Sequence, residues 1–211
     1  ATELASVWAL GTVLNVEVPE TIKIHVHGTF SEHVTAKDLI LHLIGRLSAQ
    51  GANFKVIEFH GETLRTMPTS GRLVLCNMSV EAGATSGIVP PDEETVRYLR
   101  EEAGVRDEIP LFGPDPDAAY SRILEVDAKA LPPQLACPHA VDNVVAVSDR
   151  EGARIDQVVI GSCTNGRYDD LADAAAILKG KKIAPWVRLL VFPASWRIYR
   201  RLLKDGLLED L

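Results

Sequence analysis

From Glu20 the chain reads ETIKIHVHGTF, in which Ile22, Ile24 and Val26 alternate with Lys23, His25 and His27, the period of two that marks a half-buried strand. The period then lengthens. In TAKDLILHLIGRLSAQG, Leu39, Leu43 and Leu47 recur with Ile40 and Ile44 at helical spacing, Thr35 stands as N-cap, Asp38 holds the capping-box position and Gly51 lies past the end. FKVIEFHG supplies a second strand. The next segment, TSGRLVLCNMSVEAGA, suits strand or helix by periodicity alone, and Ser70 before it with Gly83 after it favours helix. SGIVPPDEETVRYLREEAG adds a short strand, a proline turn and a helix whose acidic first turn matches the helix dipole.

Between Pro110 and Pro138 the texture changes, because six of the twelve prolines fall there and LFGPDPDAAY is rich in turn residues. From Asp142 the pattern is regular again: strand QVVIGS, helix YDDLADAAAILKG, strand VRLLVFP, helix WRIYRRLLKDGL. Alternating strands and helices predict an α/β fold of two domains, with mainly parallel sheets flanked by helices. The boundaries implied are residues 1–115, a proline-rich linker over 116–140, and 141–211. The opening ATELASVWAL reads as the interior of a helix without a cap, which suggests that the sequence begins inside a longer protein.

The net charge of -7 disfavours non-specific binding to nucleic acid or to an anionic membrane surface, and leaves a small molecule or another protein as the expected partner. No apolar run is long enough to cross a bilayer and the start lacks a basic signal region, so a cytoplasmic protein is expected. Three cysteines, Cys76, Cys137 and Cys163, make no disulfide framework and indicate a reducing compartment.

Cys163 is the chemically suggestive one. It follows a strand, precedes a helix and is flanked by Gly161, Ser162, Thr164, Asn165 and Gly166, which describe a tight exposed turn rather than a core. Backbone N–H groups and the helix dipole at such a junction favour thiolate, the form that attacks electrophiles or binds metal. An inert buried thiol is the competing explanation, and for Cys76, beside Leu75 and Met78, it is the better one. Cys137, in LACPHAVDN, reads as a loop or strand-end thiol. The six histidines make no metal motif, and His25 and His27 read as a solvated strand face. The basic helix WRIYRRLLK reads as amphipathic with a solvated face.

IGSCTNGRYDDL, residues 160–171, resembles the signature of the aconitase superfamily, in particular 3-isopropylmalate dehydratase large subunits and the related homoaconitases. LCNMSVEAGATSGIVPPDEETVRYL, residues 75–99, is similar to a second segment of that family, and VPETIKI, AKDLIL, IEFHGE and VFPAS are looser matches. The resemblance implies an aconitase-like fold and a 4Fe-4S cluster held by three cysteines, with Cys163 the first. It also implies active-site roles for Asn77 and Glu81, which stand four apart and, on a helix, share one face. Family members carry an Asp-Ser-His-Thr motif upstream and a paired Cys-x-x-Cys downstream, and neither occurs in these residues. Cys76 and Cys137 follow no ligand spacing that would replace the pair.

The implied activity is a hydro-lyase isomerisation of a 2-hydroxy di- or tricarboxylate such as isopropylmalate, in leucine biosynthesis, with the cluster as Lewis acid. The base would be a serine on a swivelling domain, often a separate small subunit. With one cluster ligand of three, this chain alone is expected to be inactive. Other readings are an aconitase or homoaconitase activity, a thiol enzyme with Cys163 as nucleophile, and a non-catalytic scaffold.

Overall fold

A computed structural model describes residues 2–12 and 17–211. Its largest sheet contains β1 (Glu20–His27), β2 (Lys55–His60), β3 (Ser86–Ile88) and β4 (Arg122–Asp127), all parallel, in the order β3-β2-β1-β4. The alternation read in the sequence holds: Ile22, Ile24 and Val26 are buried, while Lys23, His25 and His27 are half-buried on the other face. Ile24 lies in register with Phe59 and with Leu124, so the buried face runs across three strands.

Helix α1 (Thr2–Leu10) precedes the sheet, and α2 (Ala36–Leu47) closes its apolar face with Leu39, Ile40, Leu43 and Ile44, all without solvent contact. The capping box at its start forms as the sequence implies. The Thr35 hydroxyl accepts from the Lys37 N–H at 3.2 Å, and the Asp38 carboxylate accepts from the Thr35 N–H at 2.7 Å. The second Asp38 oxygen takes the Gln134 N–H at 2.7 Å, which ties a distant hairpin to the same cap. That hairpin is β5 (Gln134–Ala136) with β6 (Val144–Ala146), the one antiparallel pair among the described residues.

The ambiguous segment after β2 is helical: α3 (Glu62–Thr66), then α4 (Thr69–Met78), followed by a 3₁₀ turn over Ser79–Ala82 that stops at Gly83 in the left-handed region. Pro68, not Ser70, holds the N-cap position, and it makes no side-chain cap bond. The cap comes from elsewhere, since Glu94 of α5 (Glu93–Glu101) accepts from the Thr69 N–H at 2.8 Å and from its hydroxyl at 3.0 Å. Arg72 is 4 % exposed, grips Asp92 with two bonds of 2.6 and 2.8 Å, and so clamps α4 to the cap of α5.

Residues 116–140, expected as a linker, contain β4. The prolines flank this strand without entering it, and RILEVD alternates as a strand should. Across from it, the Ser121 N–H and hydroxyl donate to the Thr21 carbonyl at 2.9 and 3.1 Å.

The remaining elements are β7 (Gln157–Gly161), α6 (Ser162–Asn165), α7 (Tyr168–Leu178), β8 (Arg188–Phe192) and α8 (Trp196–Lys204), with β7 and β8 parallel. Here Leu171, Ala175 and Leu202 are the buried apolar residues, whereas the contiguous core lies within residues 22–131. The two regions meet at a polar seam. Ser70 donates to Asp169 at 3.0 Å, Asn77 to Thr164 at 2.6 Å, and Arg197 to Glu102 at 2.7 Å. The basic side of α8 is spent on such contacts, since Arg201 lies 3.6 Å from Glu102 and 3.8 Å over the Tyr168 ring.

Candidate functional site

The site begins with backbone. β7 ends at Gly161 with φ 111°, and a Cβ there would stand 2.1 Å from the Phe192 carbonyl oxygen, so this position admits no side chain. Gly166 is equally confined, 2.5 Å from the Ser162 carbonyl oxygen and 2.7 Å from that of Phe192. Between them the single turn α6 stands at the carboxyl end of the parallel strands, where α/β folds bind ligands. Ser162 has φ 77°, a conformation non-glycine residues rarely take, and Cys163 is exposed.

Cys163 is held below the ordinary thiol range. The first cause is hydrogen bonding from the Thr164 hydroxyl, then from Ser162; burial opposes them, and the Cys163 backbone and Asn77 add the smallest contributions. A helix dipole contributes little, because α6 is only four residues long, and neighbouring hydroxyls take its place. Asn77, in the last turn of α4, donates from Nδ2 to the Thr164 oxygen and thereby fixes the residue beside the thiol. Asn77 and Cys163 are thus brought together across the seam.

Glu81 is placed differently. It lies in the 3₁₀ turn after α4, is exposed, and its side chain has no hydrogen bond or ion pair among the described residues. Its charge is felt by Lys37, in the first turn of α2, which also feels the charges of Asp170, Cys163 and Asp38. Burial pushes the Lys37 pKa down, and these four groups oppose the shift, Asp170 most and then Glu81. Lys37 and Asp170 line one cavity of about 380 Å³ at the seam, together with Asn165. Asp170 accepts from Asn165 Nδ2 at 2.8 Å and from the Arg167 N–H at 3.0 Å, which caps α7. Asn165 Oδ1 is buried and has no hydrogen-bond partner among the described residues.

Thr164, Lys37 and Asp170 are the participants the sequence did not single out, although all three lie within stretches that resembled the family. Lys37 did carry a signal: a cation in the first turn of a helix opposes the dipole and calls for a reason.

The other thiols are occupied elsewhere. Cys76 is half-buried, its thiol is pushed up by burial, and it bonds towards the Val89 backbone. Cys137 is buried at the end of β5 and accepts from Arg150 Nε at 3.3 Å. His25 lies 2.8 Å from Glu125, and His60 lies 2.8 Å from Glu58. Among the described residues no three His, Cys, Asp or Glu side chains are grouped to hold a metal ion. Cys163, exposed and biased to thiolate, fits as a single ligand of an iron–sulfur cluster, and the described residues do not complete a ligand set.

Residues 1–153 and 148–211 match the aconitase family (aconitate hydratase). The chain belongs to the aconitase family. A probable 3-isopropylmalate dehydratase large subunit of Methanothermobacter thermautotrophicus is 51% identical over 209 residues, which is 99% of this chain and 49% of that protein. The 3-isopropylmalate dehydratase large subunit 1 of Methanopyrus kandleri is 49% identical over 100% of this chain and 50% of its own length. A probable methanogen homoaconitase large subunit of Methanosarcina mazei is 46% identical over 100% of this chain and 53% of its own. The chain therefore spans about half the length of the curated relatives it matches. Its place in the aconitase family accords with the parallel sheets flanked by helices. No helix among the described residues is long and apolar enough to cross a membrane.

Proposed function

We propose that these residues form part of the catalytic centre of a hydro-lyase that dehydrates and rehydrates a 2-hydroxy dicarboxylate, isopropylmalate, in leucine biosynthesis. The observation that carries this reading is the meeting of Cys163 and Asn77 at Thr164, which joins two family-like segments far apart in sequence into one site. A 4Fe-4S cluster bound there would supply Lewis acidity at the substrate hydroxyl, and Cys163 is the ligand this chain offers it. The chain's own residues do the rest. Thr164 and Asn77 keep the thiolate in place. Glu81, exposed and without a hydrogen bond or ion pair among the described residues, accepts a hydrogen bond from the substrate hydroxyl and orients it, with Asn77 as the neighbouring donor. The relatives' designation as large subunits supports a small-subunit partner that brings the base. Free thiols and the absence of a disulfide among the described residues support a reducing, cytoplasmic setting.

The test is anaerobic reconstitution, with iron and sulfide, of a large subunit in which these residues stand together with a downstream Cys-x-x-Cys pair, followed by assembly with a small subunit and assay of isopropylmalate dehydration. Cys163→Ser is expected to lose bound iron, and Glu81→Gln to keep iron but lose turnover by about 100-fold or more. Iron retained by Cys163→Ser would overturn the reading, as would robust turnover by the 211 residues alone. A homoaconitase substrate is the second reading, supported by the Methanosarcina relative, and competition between the two hydroxy acids separates them.

A further inference from the structure

The cavity of about 380 Å³ at the seam is separate from the thiol site, since Asn77, Glu81 and Cys163 do not line it. It lies just past the carboxyl end of β1, at Thr29 and Phe30, where parallel sheets place ligands. Its lining divides by chemistry. Ala36, Met67 and Val74, none more than 7 % exposed, give it an apolar side together with Phe30. The charged side chains are Lys37 from the first turn of α2 and Asp169, Asp170 and Asp173 from α7. Asp170 is spent on Asn165 and on the Arg167 N–H, and one Asp169 oxygen is taken by the Ser70 hydroxyl at 3.0 Å. The Asp173 carboxylate and the Lys37 ammonium make no hydrogen bond or ion pair among the described residues.

Three classes of ligand fail against this lining. A di- or tricarboxylate would meet three carboxylates with a single ammonium to offset them. A bare metal cation would face Lys37 and leave the apolar side unused. A wholly apolar molecule would strip water from Lys37 and Asp173 and replace it with nothing. A molecule carrying one ammonium, one carboxylate and a short aliphatic chain satisfies every side at once, and the volume is that of a small-ligand site. We propose that the seam cavity binds an aliphatic α-amino acid, with its carboxylate on Lys37, its ammonium on Asp173 and the open oxygen of Asp169, and its side chain against Met67 and Val74. The dipole of α2 adds to the hold on the carboxylate, because the N-cap and first turn of that helix line the cavity. A cation in that turn, unfavourable by itself, then has a function.

Calorimetric titration of the large subunit that carries these residues tests each contact. The probes are L-leucine, L-valine and L-methionine, with two truncated forms of leucine: 4-methylpentanoate, which lacks the ammonium, and 3-methylbutylamine, which lacks the carboxylate. At least one of the amino acids should bind, and each truncated form should bind about tenfold or more weakly, the effect of losing a charged hydrogen bond. Lys37→Met should bring the amino acid down to the level of the amine without weakening the amine. Asp173→Asn should weaken amino acid and amine alike and leave 4-methylpentanoate unchanged. If Lys37→Met does not fold, Lys37→Gln takes its place, and Asp173, exposed and unpaired, gives a variant whose folding is not at risk. Failure of all three amino acids to bind overturns the proposal, as does an affinity that both variants leave unmoved or an amine that binds as tightly as leucine. Occupancy should also slow hydrogen exchange in the first turns of both α2 and α7, and protection of one without the other would overturn the placement at the seam. The titration needs no iron and no turnover, so its outcome stands apart from that of the dehydratase reading.

Discussion

Gly61, directly after β2, and Gly161, the last residue of β7, share φ 111° and differ in ψ, 171° against -136°, and both lead into a short helix. An added Cβ would strike a neighbouring strand in either place, 1.9 Å from the Val26 carbonyl oxygen or 2.1 Å from that of Phe192. The two junctions diverge just beyond the glycine. After Gly61, Glu62 accepts the Gly28 N–H at 2.9 Å, the Thr63 hydroxyl donates to the Gly28 carbonyl at 2.6 Å, and Leu64 enters the core. After Gly161, the thiol of Cys163 stays outside, and the turn is held by Asn77 from across the seam. One junction is spent on stability and the other on presentation, because only the first has a large core to lean on.

The comparison is broken most forcefully by removing core volume. Phe59→Ala is expected to cost about 3–5 kcal/mol, and Leu202→Ala about 2 kcal/mol, since fewer buried neighbours surround the latter; chemical denaturation measures both, and equal costs would erase the contrast. Next comes Gly161→Ala, at about 1–3 kcal/mol of strain. Hydrogen exchange should show β7 and β8 losing protection while β1 and β2 keep theirs.

Acid sharpens the comparison from the other side. The Arg97 guanidinium holds the Glu94 carboxyl at about 2, against an ordinary 4.5, with burial opposing. Because the folded state prefers the ionised form, this contribution is complete above the unfolded value and drains away as pH falls from about 4.5 towards 2. Thermal melts should therefore show the first region weakening in that window, and Glu94→Gln should flatten the slope while lowering stability at neutral pH. The smallest effect belongs to the thiol. Thr164→Val keeps the shape of the side chain but removes the hydroxyl that most favours thiolate, so alkylation of Cys163 at neutral pH should slow several-fold with little change in melting temperature.

What could be read from the sequence was local. The alternation of β1 and the Thr35–Asp38 box are fixed by neighbours a few residues away, and both form as the pattern implies. The cap of α4 could not be read, because it belongs to Glu94, twenty-five residues on. Nor could β4, whose partner strand lies about a hundred residues earlier and whose surroundings are dominated by proline. At the site, Cys163 stood out through its small polar neighbours. Thr164 did not, because its importance comes from Asn77, 87 residues away.

The bonds across the seam are ones that water can replace: an amide to a hydroxyl, a hydroxyl to a carboxylate, a guanidinium to a carboxylate. A joint of this kind parts by hydration, bond by bond, where an oily one would have to tear. Its tightness is then set by the medium as much as by the chain. Added salt slackens it, a drier surrounding draws it closed, and the turn that bears the thiol moves with it.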